Sequence, residues 1–516
     1  MEASCIRHTD LPGTSRLFSD FAYHFNRVSQ FYDHPPANLE VLTSAAGAID
    51  YPADRRAAMV AALKAQNGDS ASLRMLAQPG TVAVVTGQQV GLFSGPAYTI
   101  YKALTAAKMA ADLSEHGVPA VPVFWLATED HDFPEVDHVY AFGPAHQPEK
   151  LTVSGNHAEL QPVGSVEIVK APIEELRSLL AGFPYADEVM ALAAESYAPG
   201  QTLGSAFRSL LKGILGKFGL LFLDPLEPAI RKIGAPFLAE ALKQAPELKK
   251  QLLQRNKELA DAGYHSQVLI EPKSSLFFLL EDGKRIPVKR KDEDFASLAG
   301  DAEHVSPNAL LRPVMQDYLL PTVAYIGGPA ELAYLAQSQV IYDSLLGRMP
   351  VVTPRSGFTL LDYRAQKLLT RYGLNVVDTF DRPDVVRQRI AQKLTPPSVS
   401  QLFAETESAL GAKLGHLEKE LLSFDPTLAD ALRKSQSKIT HQFHKLASKA
   451  ALETMRRDER AGDDAQFLIG LLYPHRHLQE RFYTILPFLA KHGLDLVDTV
   501  YANVHLDCPD HKVLVV

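Results

Sequence analysis

Four times along the chain a helix-like stretch runs into a glycine and then a short apolar run: "SEHGVPAVPVFWLATED", "LGKFGLLFLDP", "TRYGLNVVDTF" and "AKHGLDLVDTV". Gly117, Gly219, Gly373 and Gly493 each suit the left-handed cap that ends a helix, a conformation open to a residue without Cβ. The apolar runs behind them fit buried strands. Strands alternating with helices imply a largely parallel sheet covered on both faces. The recurrence therefore predicts an α/β fold of the open, doubly wound kind, in which ligands bind beyond the carboxyl ends of the strands.

At 516 residues the chain is longer than one hydrophobic core organises, so two or three structural units are expected. Its 46% hydrophobic and 22% charged residues and net charge of −8 give no electrostatic case for nucleic acid or an anionic membrane as partner. Small-molecule substrates are the expectation. The two cysteines, Cys5 and Cys508, have no CxxC spacing and suit a reducing compartment; they read as bystanders rather than nucleophiles. The N-terminus "MEASCIRHTDLPG" lacks a basic and an apolar signal region, and no run approaches the ~20 apolar residues of a membrane span. A cytoplasmic enzyme is predicted.

Further strand-to-helix turns stand at "TVAVVTGQQ", "TVAYIGGPAELAY" and "PVVTPRSGFTLLD". The chain divides into core pieces at 1–142, 201–234 and 306–397 and two insertions at 143–200 and 235–305, the second holding a hairpin "SSLFFLLEDGKRIPVKRK" that turns at Asp282-Gly283. Over 398–460 the pattern becomes a heptad seam, with Leu410, Leu414, Leu417, Leu421 and Phe424 at steps of four and three. Asp425-Pro426 then caps and opens a second helix, along which Leu428, Leu432, Ile439, Phe443 and Leu446 continue the stripe. Two helices joined so tightly fold back as an antiparallel pair, each about 40 Å long at 1.5 Å per residue. Such an arm either dimerises or packs within one chain. The segment 461–516 returns to helix, strand and turn, and is expected to rejoin the core.

Four stretches carry candidate chemistry. In "VVTGQQVGLFSGPAYTIYKAL", Thr86 ends a strand, Gly87, Gly91 and Gly95 let backbone approach a ligand, and a helix from about Pro96 would aim free N–H groups at an anion. The spacing is neither GxGxxG nor GxxxxGK[ST]; a tight turn explains the glycines, while Gln88 and Gln89 suit a polyol, amide or carboxylate. In "FWLATEDHDFPEVDHV", Glu129, Asp130, His131 and Asp132 follow a strand, with Glu135, Asp137 and His138 on a helix opened by Pro134. Carboxylates crowded around an imidazole perturb one another's protonation, as a general base or a Mg²⁺ site requires, although a capped helix start accounts for some of them and no third metal ligand is specified. In "HVSPNALLRPVMQDYLLPTVAYIGGPAELAY", Asn308, Arg312 and Gln316 fall on one helical face, and the next strand ends at Gly327-Gly328 with Glu331 beyond. Arg312 suits a carboxylate or phosphate; the bland reading is a surface stripe. In "LLYPHRHLQERFY", His475, Arg476, His477, Gln479, Glu480 and Arg481 crowd a helix start, as a binding lip or an exposed charged helix.

At "TGQQVGLFSGPAYTIYKAL", "VPVFWLATEDHDFPEVDHV", "SPNALLRPVMQDYLLPTVAYIGGPAELAY" and "LYPHRHLQER" the sequence resembles the BshC family, the cysteine ligases of bacillithiol biosynthesis. The resemblance implies a Rossmann-like core with two insertions and an α-helical antiparallel coiled-coil domain used as a homodimer contact. It also implies addition of cysteine to glucosaminyl-malate through an amide, the last step of bacillithiol synthesis. On that implication Gln88 and Gln89 orient the acceptor, Arg312 grips an anion, and Asp130, His131 or Asp132 takes a proton from the attacking amine, with Thr86, Glu129, Asn308, Gln316, Gly327 and Gly328 around the substrates. A free carboxylate does not acylate an amine unaided, so ATP or another source of driving force is expected; the resemblance implies an adenine nucleotide site, for ATP or ADP, with Mg²⁺ as a candidate cofactor. The chain shows no Walker sequence and no HxGH, so the nucleotide is expected away from the Gln88-Gln89 loop. Two other readings stay open: a Mg²⁺-dependent nucleotidyl- or phosphoryl-transfer enzyme using Glu129 to Asp132, and a non-catalytic dimeric scaffold.

Overall fold

The computed structural model describes residues 3–271, 275–288 and 295–516. Its central sheet has five strands: β1 (Val82–Gln88), β2 (Ala120–Leu126), β3 (Leu221–Leu223), β4 (Thr322–Gly327) and β5 (Val351–Pro354). Every neighbouring pair is parallel and the spatial order is β3-β2-β1-β4-β5, the doubly wound Rossmann order. Side chains alternate across it as the pleat requires: Val82 and Val84 pack with Ala106, Met109 and Val323, while Ala83 and Val85 join Val121, Trp125 and Tyr325 on the other face. Thr86 is buried at the end of β1, where its Oγ1 donates to Ile326 O of β4 at 2.8 Å.

Two helices follow β1 and β4 directly and matter for the site: α1 (Tyr98–Glu115) and α3 (Pro329–Leu345), with the short α2 (Arg312–Leu319) ahead of β4. All four glycines of the recurrent pattern take positive φ, but only Gly117 and Gly219 lead into strands. After Gly373 the chain forms a 3₁₀ turn, Val376–Thr379, because Asp378 accepts from Asn375 N at 2.7 Å and closes a capping box around two valines. After Gly493 it forms the helix Leu496–Ala502. In both places the apolar run is too short to arbitrate strand from helix by its pattern alone.

A hairpin, His138–Phe142 with Pro148–Thr152, lies between β2 and β3, and a three-stranded sheet of Phe277–Glu281, Lys284–Pro287 and Val305–Pro307 lies between β3 and β4. The Asp282-Gly283 turn is present; Ser274 and Lys289 to Lys291 of the expected hairpin lie outside the described residues. The C-terminal strand His511–Val515 inserts between Ala3–Ile6 and Phe358–Leu361, so the end of the chain returns beside its beginning.

The helices α4 (Pro397–Phe424) and α5 (Pro426–Arg457) form the arm. Asp425 caps α5 by accepting from Thr427 N at 2.8 Å. Phe403 against Phe443, Glu407 with His444 and Glu418 with Arg433 fix an antiparallel pairing. The seam is not the one read from spacing alone: Leu410, Leu414 and Leu421 are half-buried, whereas Leu417 and Phe424, with Leu428, Ile439 and Leu446, are exposed on the arm's surface. An α-helix drifts by about 20° per heptad, so a single stripe cannot keep every apolar residue against one neighbour. No helix among the described residues is long and apolar enough to cross a membrane.

Candidate active site

The strand order reverses between β1 and β4, and the crevice beyond their carboxyl ends is where a doubly wound sheet holds ligand. The local sequence opens it. A Cβ at Gly87 would lie 2.8 Å from Trp125 O on the neighbouring strand, so glycine is needed where β1 leaves the sheet. A cleft of about 310 Å³ occupies the crevice, and its wall combines Gln88 and Gln89 after β1, Lys102 of α1, Arg312 of α2, Gly328 after β4, and Arg355 after β5.

The charges of this chamber are arranged by burial. Lys102, only 2% exposed, donates to Gly87 O (2.7 Å) and Gln88 Oε1 (3.0 Å) and pairs with Glu331. Burial pushes the Lys102 ammonium down and the Glu331 carboxylate partly holds it up. Burial would raise Glu331 in turn, but Lys102, the Gly328 N–H (2.8 Å) and the Tyr325 hydroxyl (2.8 Å) hold it ionised, below its ordinary value. Arg312 Nη2 donates to Tyr334 OH at 2.8 Å, and Arg355 is gripped by Glu480. With Arg481, four cations face Asp130 and Glu331 in the lining, so the chamber favours an anion of one or two charges.

A second chamber of about 320 Å³ adjoins the first and shares Gln88, Gln89, Tyr98 and Arg481 with it. Its wall is a stack of rings: Tyr140 on Phe482 (4.2 Å, 22°) and His477 on Phe482 (6.0 Å, 15°). Gln89 stands at the junction, its Nε2 donating to Asp130 Oδ2 (2.7 Å) and Glu135 Oε2 (2.6 Å). Gln88 is oriented at both ends of its amide, by Lys102 and by the Tyr98 hydroxyl at 3.2 Å. Of the non-glycine residues with positive φ, His475 (47°) lines this chamber, and Phe93 (46°) and Ser94 (74°) lie in the loop between its lining residues Gly91 and Gly95; such backbone costs of order 1 kcal/mol each.

Of the residues singled out from sequence, the structure brings Gln88, Gln89, Asp130, Arg312, Gly328 and Glu331 to the first chamber and Glu135, His138, His475, His477 and Arg481 to the second. It gives the others different duties. Thr86 ties two strands, and a Cβ at Gly327 would meet Glu331 Cβ at 3.0 Å, so that glycine serves helix packing. Glu129 is turned into the protein, bound to Arg231 Nη1 at 2.5 Å, because Arg231 also holds the carbonyls of Glu303 and Val305. His131 lies under the Lys284–Pro287 strand, where Arg285 donates to its Nδ1 at 3.3 Å; burial first and that guanidinium second push its imidazole down. Asp132 is exposed beyond both chambers. Asn308 accepts from Leu310 N and Leu311 N (3.0 Å each) at a helix start, and Gln316 is buried against Asp317 at 3.2 Å. The expected helix at Pro134 is only Phe133–Val136, and His138 begins a strand.

Four amides of the glycine loop are already paired within the protein. Gly91 N goes to Gln89 O (2.9 Å), Phe93 N to Tyr197 OH (2.7 Å), Gly95 N to Leu92 O (2.8 Å) and Ala97 N to Tyr483 O (2.8 Å). The expectation of free N–H groups is therefore corrected for these four donors, which are spent on protein acceptors. Among the described residues no group of three or more His, Cys, Asp or Glu is placed to hold a metal ion. Residues not singled out beforehand include Lys102, Tyr98, Arg355 and Tyr140. Lys102 carried a signal, a lone cation in the apolar run "YTIYKALTAA", and Arg355 followed a strand end.

The family model described as "Bacillithiol biosynthesis BshC, N-terminal Rossmann-like domain" matches residues 1–356, and "Bacillithiol biosynthesis BshC, C-terminal coiled-coil domain" matches residues 358–516. The chain is 53% identical over 525 residues to "Putative cysteine ligase BshC" of Solibacter usitatus, covering all of both chains. Proteins of the same name from Koribacter versatilis (36%, all of both chains) and Symbiobacterium thermophilum (34%, 88% of each) are also similar.

Proposed function

The chain belongs to the BshC family of bacillithiol biosynthesis, and from that premise we propose that it is a ligase joining cysteine to glucosaminyl-malate in the last step of the pathway. The observation that carries this reading is the pair of adjoining chambers with a common Gln88-Gln89 wall. Ligation needs the acceptor's amine fixed where the second reactant can reach it, and the cationic chamber suits the malate carboxylates through Arg312 and Arg481.

In the reaction the sugar amine forms a C–N bond to the cysteine carboxyl carbon as a C–O bond of that carboxyl breaks. The amine gives up a proton, and Asp130, at the chamber junction, is placed to accept it. Gln89 holds the Asp130 carboxylate in orientation. The oxygen that departs must be activated, so we propose ATP with Mg²⁺ as the source of driving force. Four N–H groups of the loop, those of Gly91, Phe93, Gly95 and Ala97, are occupied by protein acceptors, so this loop is not offered as the triphosphate site, and no step is routed through a nucleotide here. Glu129, bound by Arg231, is not offered as a ligand, which removes support from metal-dependent nucleotidyl transfer at this loop. We further propose a cytoplasmic homodimer joined through the exposed apolar residues of the arm.

The test is mass spectrometry of products formed by the purified protein from cysteine, glucosaminyl-malate, ATP and Mg²⁺, with each omitted in turn. The cysteine conjugate should appear with the full set and vanish without either organic substrate. A folded sample that yields no conjugate under any combination overturns the reading.

A further inference from the structure

The second chamber differs in chemistry from the first, and the difference specifies a ligand. Its wall carries the rings of Tyr140, Phe482 and His477, with Phe482 stacked against the other two. Its rim is polar: Glu135, His138, whose Nδ1 lies 2.6 Å from Asp137 Oδ1, and the Gln89 amide. Two carboxylates, Asp130 and Glu135, meet at the Gln89 junction where the chambers join. Aromatic rings match the C–H groups of a pyranose, polar side chains match its hydroxyls, and paired carboxylates match an ammonium group. At about 320 Å³ the chamber is larger than an amino-acid side chain needs and lies at the small end of ordinary ligand pockets.

We infer that this chamber is an aminosugar subsite: the hexosamine ring lies against the Tyr140–Phe482 stack, and its amine sits at the junction between Asp130 and Glu135. The assignment rests on the ligase reading above and deepens it, because one bridging molecule then places its anionic head among Arg312, Lys102 and Arg481 and its sugar next door. The reacting nitrogen falls at the shared wall, within reach of both chambers. Glu135 binds the ammonium form, and Gln89 keeps the two carboxylates apart by donating to both.

Isothermal titration of the full chain with methyl α-D-glucosaminide, L-malate and glucosaminyl-malate separates the subsites. Glu135 is exposed, so Glu135→Gln leaves the fold intact; Tyr140→Leu removes the ring and is checked by thermal melting. Each should weaken the aminoglycoside about tenfold or more and leave L-malate binding unchanged, while Arg312→Met should do the reverse. If wild type binds glucosaminyl-malate and neither chamber variant weakens it or the aminoglycoside, the subsite assignment is overturned and the ligase reading stands. If wild type does not bind glucosaminyl-malate at all, the ligase reading itself falls and takes this assignment with it.

Discussion

Arg355 and Glu480, 125 positions apart in the chain, meet as a buried two-pronged pair: Nη1 to Oε2 at 2.9 Å and Nη2 to Oε1 at 2.5 Å. Glu480 Oε2 also accepts from Phe358 N at 3.0 Å, so one carboxylate fastens the C-terminal segment to the cleft wall and places Arg481 beside it. Breaking such a pair by removing one charge leaves the other buried and uncompensated, at about 3 kcal/mol. Glu480→Gln should lower unfolding free energy by about that amount in urea titration and weaken L-malate binding about tenfold. An unchanged midpoint with unchanged malate affinity would show that the pair does neither.

Acid should destabilise the fold in two stages, and the sign follows from the shifts. His511 is buried and His492 half-buried, neither with enough compensating charge, and desolvation lowers each from 6.5 to about 4. The unfolded chain therefore binds these protons first, so the stability they contribute is complete above pH 6.5 and lost as pH falls through about 4. Glu480 acts lower down: burial opposes its charge, but Arg355 foremost and His511 next hold it at about 2, so its contribution is lost between about 4.5 and about 2. Unfolding free energy measured against pH should slope downward below 6.5, and His511→Gln should flatten the upper part of that slope.

Adjacent acidic residues should behave in opposite ways. Asp130 faces the chambers and is part-exposed, so Asp130→Asn should reduce turnover about 100-fold or more with little change in melting temperature. Glu129 is buried on Arg231, so Glu129→Gln should cost about 3 kcal/mol of stability. Turnover and thermal melting on the two purified variants decide it; equal losses of both properties in both variants would mark the loop as a structural cluster.

The arm should separate from the cleft functionally. Leu428→Glu with Ile439→Glu charges two exposed apolar positions on one helix, which should convert a dimer to a monomer in analytical ultracentrifugation and leave glucosaminyl-malate affinity unchanged. A variant that remains dimeric would place the contact elsewhere.

The recurrent glycines disclosed the doubly wound core because helix caps and buried runs are local signals. They misled after Gly373 and Gly493, where short apolar runs form helical turns instead of strands. The cleft was legible at Gln88, Gln89, Asp130 and Arg312, which follow or flank strand ends. Glu129 and Asp130 look equivalent in sequence, and only the position of Arg231, 102 residues away, sends one inward. Likewise "LQER" reads as a charged surface helix until Arg355 claims Glu480. Pairings across such separations have no signature within a window of sequence.

The most direct test of the two-chamber account is a crystal structure of the protein with glucosaminyl-malate. Electron density should place the malate carboxylates among Arg312, Lys102 and Arg481, the sugar against Tyr140 and its amine by Gln89. Density for the ligand at any other surface, with both chambers holding only solvent, would contradict it.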